Sequence, residues 1–151
     1  MNNRTTKIIV DIFMTIFLIL SFIRWDNSNF AFHAVVGVAC TLFFGVHVFI
    51  HRKWLKATTK SCFKGKLNKP LRAKYVIDVL LLAAWTTSIV TGFIAVFPFL
   101  DWSAATAFAW GRFHGITARI ALVLVIIHII QHLPQIKSYI GIKKQAGKGV
   151  A

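Results

Sequence analysis

The sequence predicts an all-α integral membrane protein, a four-helix bundle built by duplication of a two-helix unit with both termini on the cytoplasmic side. Three observations lead there. Hydrophobic residues make up 57% of the 151 positions, well above a soluble average. Four apolar segments, 8–23, 32–50, 75–97 and 113–133, each approach the roughly twenty residues needed to cross a bilayer. The second and fourth of them, His33 to His51 and His114 to His132, repeat the spacing H-x13-H-x3-H and together hold all six histidines. By length the chain is one membrane domain, 1–151, with little left over for a soluble one.

The first span follows Arg4 and Lys7, as a signal peptide would. It carries Asp11, exceeds a usual signal core in length, and runs into IRWDNSNF rather than a small-residue cleavage site, so it is expected to be retained. It opens KIIVD and the third span opens KYVID, so Lys7 and Asp11 recur as Lys74 and Asp78. This second repeat, in step with the histidines, marks the duplicated unit. For each Asp an i, i+4 pair with its own Lys is the favoured partner, with a polar cluster around the nearby histidines as the alternative. In the third span Thr91 and Gly92 interrupt a bulky run where a neighbouring helix or a cofactor could approach.

The second copy has fourteen extra residues before its histidine stripe. They fall in the outer loop, 98–112, where Trp102 and Trp110 flank a small-residue run that reads equally as a short interfacial helix or as an aromatic anchor. Trp25 and Trp54 sit where aromatic belts are expected. Pro98 and Pro134 are expected to close the third and fourth spans. Pro70 carries no clear message.

Charge sets the orientation. The net charge of +14 would point to nucleic acid in a soluble protein, but its distribution does not. The stretch 52–74, read as a basic loop, holds nine Lys or Arg and no acid, while the two other loops hold one basic residue between them. The positive-inside rule then places this stretch and both termini in the cytoplasm, for a multi-pass protein of the inner (plasma) membrane. Anionic lipid headgroups are a sufficient partner for the basic charge, and no nucleic acid is required.

The histidines carry the chemistry. Fourteen residues of α-helix return a side chain to within roughly 40° of its starting face, about 21 Å along the axis. Two such helices side by side offer paired imidazoles at two levels, which suits two non-covalent haem b groups, each iron taking one histidine from each helix. The expected metal ligands are His33 with His114 at the outer level and His47 with His128 at the inner one. Gly37 and Cys40, with Ala118 and Ala121, leave room between the levels for a flat macrocycle or a close backbone. Taken singly, a histidine in a membrane helix ordinarily bonds a neighbouring helix. Six on two matching stripes call for a common explanation, because polar groups in lipid are costly.

His51 and His132 lie one turn further in, about 6 Å by helical rise, too close for a third haem. Either could replace its neighbour as the inner ligand; otherwise each contacts a haem carboxylate, a quinone or a proton path. Arg119, the one formal charge well inside a span, either meets a haem propionate or snorkels outward. Cys40 lies in a span and Cys62 in the basic stretch, so a disulfide between them does not fit. With no C-x-x-C-H present, covalent haem attachment is not indicated.

The run His33, Gly37, His47, His51, Arg52, Trp54, echoed by His114, His128 and His132, resembles the flavinylation-associated cytochrome family of small four-helix membrane cytochromes. The resemblance covers nearly the whole chain and implies b-type haem and electron exchange with extracytoplasmic flavin-carrying partners. The spacing also resembles respiratory cytochrome b, which binds two haems and oxidises quinol. The chain departs from the small-family pattern at Ala118, which stands where Gly37 has its match, and in its long outer loop. The function expected is electron transfer across the bilayer between a quinol or other inner donor and an extracytoplasmic flavoprotein or other redox subunit. No catalytic residue stands out, and quinol oxidation within a complex stays open. The rival reading is a small histidine-based carrier of metal ions or protons without haem.

Overall fold

The computed structural model describes residues 3–23, 30–96 and 103–140. The chain is all-helical there: α1 (Asn3–Phe22), α2 (Phe30–Phe63), α3 (Lys69–Val96) and α4 (Ala104–Ile140), with no strand among the described residues. Each helix is long and apolar enough to cross a membrane. This is the arrangement lipid demands, because a helix satisfies its backbone hydrogen bonds within itself. Hydroxyls inside the spans are satisfied the same way: Thr41, Thr86, Thr87 and Thr91 donate to carbonyls one turn back.

The chain divides into two compact units, residues 1–65 and 66–151, and each is one antiparallel helical hairpin. In the first, α1 packs on α2 through Val10, Leu18, Val36 and Cys40, all buried, and through stacked rings of Phe13, Phe17 and Phe43. In the second, α3 packs on α4 with Trp85, Thr91, Thr117 and Ala121 buried. The buried positions obey the repeat. Leu18 matches Trp85 as Asp11 matches Asp78, and Cys40 matches Ala121 as His33 matches His114. The remaining faces stay apolar and exposed, as with Ile12, Ile16, Val35, Leu42, Ile120 and Val123, which suits a lipid solvent.

Three boundaries differ from the sequence reading. The basic stretch 52–74 is mostly helix rather than loop: α2 continues to Phe63 and α3 starts at Lys69. Its Lys, Arg, Leu and Ala residues are sound helix formers, and nothing breaks the run before Gly65, whose φ of 66° is the left-handed conformation of a helix end. Pro70 then has a role in the first turn of α3, where Asn68 caps the helix by accepting from the Leu71 amide at 3.1 Å. The stretch 104–112 of the outer loop is continuous with α4, opened by Ser103, whose hydroxyl accepts from the Thr106 amide. Pro134 does not close the fourth span, since α4 runs through it to Ile140. Trp25, Pro98, Trp102 and the tail after residue 140 lie outside the described residues.

Candidate cofactor-binding site

The same side-chain cluster is built twice. In the first hairpin His47 Nδ1 lies 2.7 Å from Asp11 Oδ1, and in the second His128 Nδ1 lies 2.6 Å from Asp78 Oδ1. One turn along, His51 and His132 set their rings against these imidazoles, with centroids 4.7 and 4.6 Å apart and interplanar angles of 38° and 39°. The carboxylates therefore turn to histidine, and the expected pairing with Lys7 and Lys74 is corrected. Antiparallel packing puts position 11 opposite 47 and 78 opposite 128. At that depth a carboxylate gains more from an imidazole N–H beside it than from an ammonium drawn toward water.

These bonds fix the imidazoles chemically. A carboxylate oxygen only accepts, so Nδ1 carries the proton and the lone pair of each ring sits on Nε2. Metal-ligating histidines ordinarily have this second-sphere arrangement, which holds the ring and raises its basicity. His114 reaches the same tautomer with a different acceptor: its Nδ1 lies 2.9 Å from the carbonyl oxygen of Ser88. The ring is seated against Gly92, where a Cβ would stand 3.0 Å from its Cε1 and Nδ1. Gly92 is thus the point of close helix approach that its surroundings in the sequence suggested. His33 is half-buried on α2, and in the repeat it stands to Ser21 as His114 stands to Ser88.

The two copies differ in burial. The Asp11 side chain is 49% exposed and that of Asp78 only 11%. Asp78 also has His132 Nε2 at 3.7 Å from its second oxygen, beyond hydrogen-bond reach, and that nitrogen is buried without a hydrogen-bond partner, as is Oε1 of Gln131. Among the described residues, ligand atoms of Asp78, His128 and His132 all lie within 4.8 Å of one another, close enough to converge on a metal ion.

Helix geometry separates the remaining candidates. His47 and His51, only a turn apart with touching rings, cannot hold opposite faces of one haem; nor can His128 and His132. His33 and His47 are about 21 Å apart along α2 by helical rise, as are His114 and His128 along α4. Arg119 is exposed, about 140° round α4 from His114, so the helix does not bring it onto the histidine face. Gly37 meets nothing within 4 Å of a would-be Cβ, whereas Cys40 is buried with its thiol 3.9 Å from the Met14 carbonyl.

The fold and this site define a multi-pass helical membrane protein with duplicated Asp-His-His clusters in its spans. No family model matches the chain, and no curated protein or solved structure does so either.

Proposed function

We propose that this chain is a membrane b-type cytochrome that binds two non-covalent haems and carries electrons across the bilayer. The observation that carries the reading is the orientation of His47, His128 and His114, each with Nδ1 bonded to an acceptor and Nε2 left as the donor nitrogen. These are three of the four positions that the sequence repeat singles out as ligands. Haem iron supplies a one-electron couple when bound. The chain's contribution is to offer His47 and His128 at one level and His33 and His114 at the other, and to keep water away with apolar helices. His51 and His132 stand beside the inner ligands, placed to contact a haem carboxylate or a quinone. The exposure of Arg119 favours a guanidinium reaching toward the membrane surface over one bonded to a propionate.

The physiological partners that fit are a quinol or other reduced donor at the end bearing Asp11 and Asp78, and an extracytoplasmic flavin-carrying protein at the other. The resemblance to flavinylation-associated cytochromes supports the second of these. The charge distribution supports a cytoplasmic location for the basic stretch and both termini. A reduced-minus-oxidised absorption spectrum of the purified chain tests the reading. A reducible b-type signal is expected, and a colourless protein after expression with ample haem overturns it.

One observation favours a second reading, a carrier for metal ions without haem: Asp78, His128 and His132 form a two-histidine, one-carboxylate group. On that reading the haem-free protein binds a divalent cation, and His132→Ala abolishes binding without any spectral change in the visible range.

A further inference from the structure

The second hairpin by itself brings three metal-ligating side chains to one point. Ligand atoms of Asp78, His128 and His132 lie within 4.8 Å of one another, and among the described residues no other His, Cys and Asp side chains converge so closely. The matching carboxylate of the first hairpin is more open to water, the Asp11 side chain being 49% exposed against 11% for Asp78. The nitrogen of His128 that faces the carboxylate is Nδ1, at 2.6 Å, and that of His132 is Nε2, at 3.7 Å. The second of these is buried without a hydrogen-bond partner. Leaving a buried polar atom so costs about 1–3 kcal/mol, and an ion seated beside it removes the cost.

Two imidazole nitrogens and one carboxylate oxygen suit a borderline ion such as Zn²⁺, which takes three protein ligands in a tetrahedron and leaves the fourth position to water. Mg²⁺ and Ca²⁺ prefer oxygen throughout. Ligand atoms about 2.0–2.1 Å from a tetrahedral ion stand about 3.3 Å apart, so the 2.6 Å contact opens and the 3.7 Å contact closes by about half an ångström. Lys74, one turn before Asp78, opposes a cation there, but its ammonium is drawn toward the polar boundary, where water screens it.

Such an ion takes the nitrogen of His128 that now donates to Asp78. A neutral imidazole has one N–H and one lone pair in its plane. With the proton on Nδ1 the lone pair sits on Nε2, as haem ligation by His128 requires. An ion on Nδ1 displaces that proton and Nε2 takes one up, so the ring stays neutral and has no lone pair left for iron. Serving both metals at once demands loss of the second ring proton, which does not occur near neutral pH.

We propose that Asp78, His128 Nδ1 and His132 Nε2 form a site for a zinc-type divalent ion within the second hairpin, and that this ion and haem exclude one another at His128. The ion site stands on one hairpin alone; the exclusion rests on the haem reading above and adds to it a form of regulation.

The test uses the full chain in nanodiscs, stripped with a chelator and then given zinc chloride, with zinc and haem both counted. Haem-free protein should bind one zinc per chain. His132→Ala should weaken this by more than about a hundredfold, since loss of an outer-shell partner alone costs about 10–100-fold. His132→Cys, which keeps a zinc ligand, should retain the ion, and His51→Ala in the other hairpin should leave zinc binding unchanged. X-ray absorption of the wild-type zinc form should show two imidazoles, a result that decides even if a variant fails to fold. Zinc added before haem should lower haem uptake by one equivalent in the wild type but not in His132→Ala, and a chelator should restore it. No zinc in the wild type, zinc held by fewer than two imidazoles, or zinc that leaves haem uptake unchanged overturns this proposal and leaves the haem reading standing. A metal-free chain that takes up no haem overturns that reading and the exclusion with it, whereas one zinc per chain lost in His132→Ala still supports the ion site.

Discussion

Gly92→Ala is the sharpest perturbation of the α3–α4 hairpin. The added methyl would stand 3.0 Å from both Cε1 and Nδ1 of His114. Ordinary contact is about 3.5–4.0 Å, so the ring must retreat by about half an ångström or more. It is tethered on that side, because Nδ1 lies 2.9 Å from the Ser88 carbonyl. Retreat stretches this bond past the usual upper limit of about 3.2 Å, forfeiting about 1 kcal/mol. Overpacking adds about 1–3 kcal/mol, for a total of about 2–4 kcal/mol against the hairpin. The intrinsic preference runs the other way, since Ala favours a helix over Gly by up to about 1 kcal/mol. Gly37→Ala is the control, because nothing lies within 4 Å of its new Cβ. Reversible unfolding in detergent, followed by circular dichroism, should show Gly92→Ala destabilised and Gly37→Ala unchanged or slightly stabilised. Equal stability of the two variants would refute the close seating of His114 on α3.

Three further outcomes follow from the site and the charge pattern. His128→Ala should remove one haem and leave the other, since the two ligand levels are about 21 Å apart by helical rise and share no histidine. His132→Ala should retain both haems while altering the potential of one, and the reverse pattern would move the inner ligands by one turn. A reporter fused after Ala151 should be active only if it works in the cytoplasm, and activity of a periplasm-dependent reporter there would invert the orientation.

The helices were legible because lipid imposes one pattern, a long apolar run, and the duplication was legible because residues as rare here as Asp and His recur in register. The Asp-His bonds were harder to read. Lys7 and Asp11 stand one turn apart in sequence, but which side of α1 meets α2 depends on packing that hydropathy does not record. The helix boundaries misled for a related reason. Charge marks where the bilayer ends, not where the helix ends, so the stretch through Arg52, Lys56 and Lys60 reads as a loop although its residues favour helix. The first turn of α3 did carry a signal in Asn68, Lys69 and Pro70, a cap followed by a proline in the first turn, which a search focused on spans passes over. Pro134 shows the opposite limit, since a helix in lipid can continue through a proline that sequence rules treat as a stop.

Haem ligation by the repeated histidines is the central proposal, and haem stoichiometry tests it most directly. A pyridine haemochrome assay on the purified chain, expressed with ample haem and referred to protein by amino-acid analysis, should give two non-covalent b-type haems per chain. One haem per chain would contradict the two-level pairing, and none would contradict haem ligation by these histidines altogether.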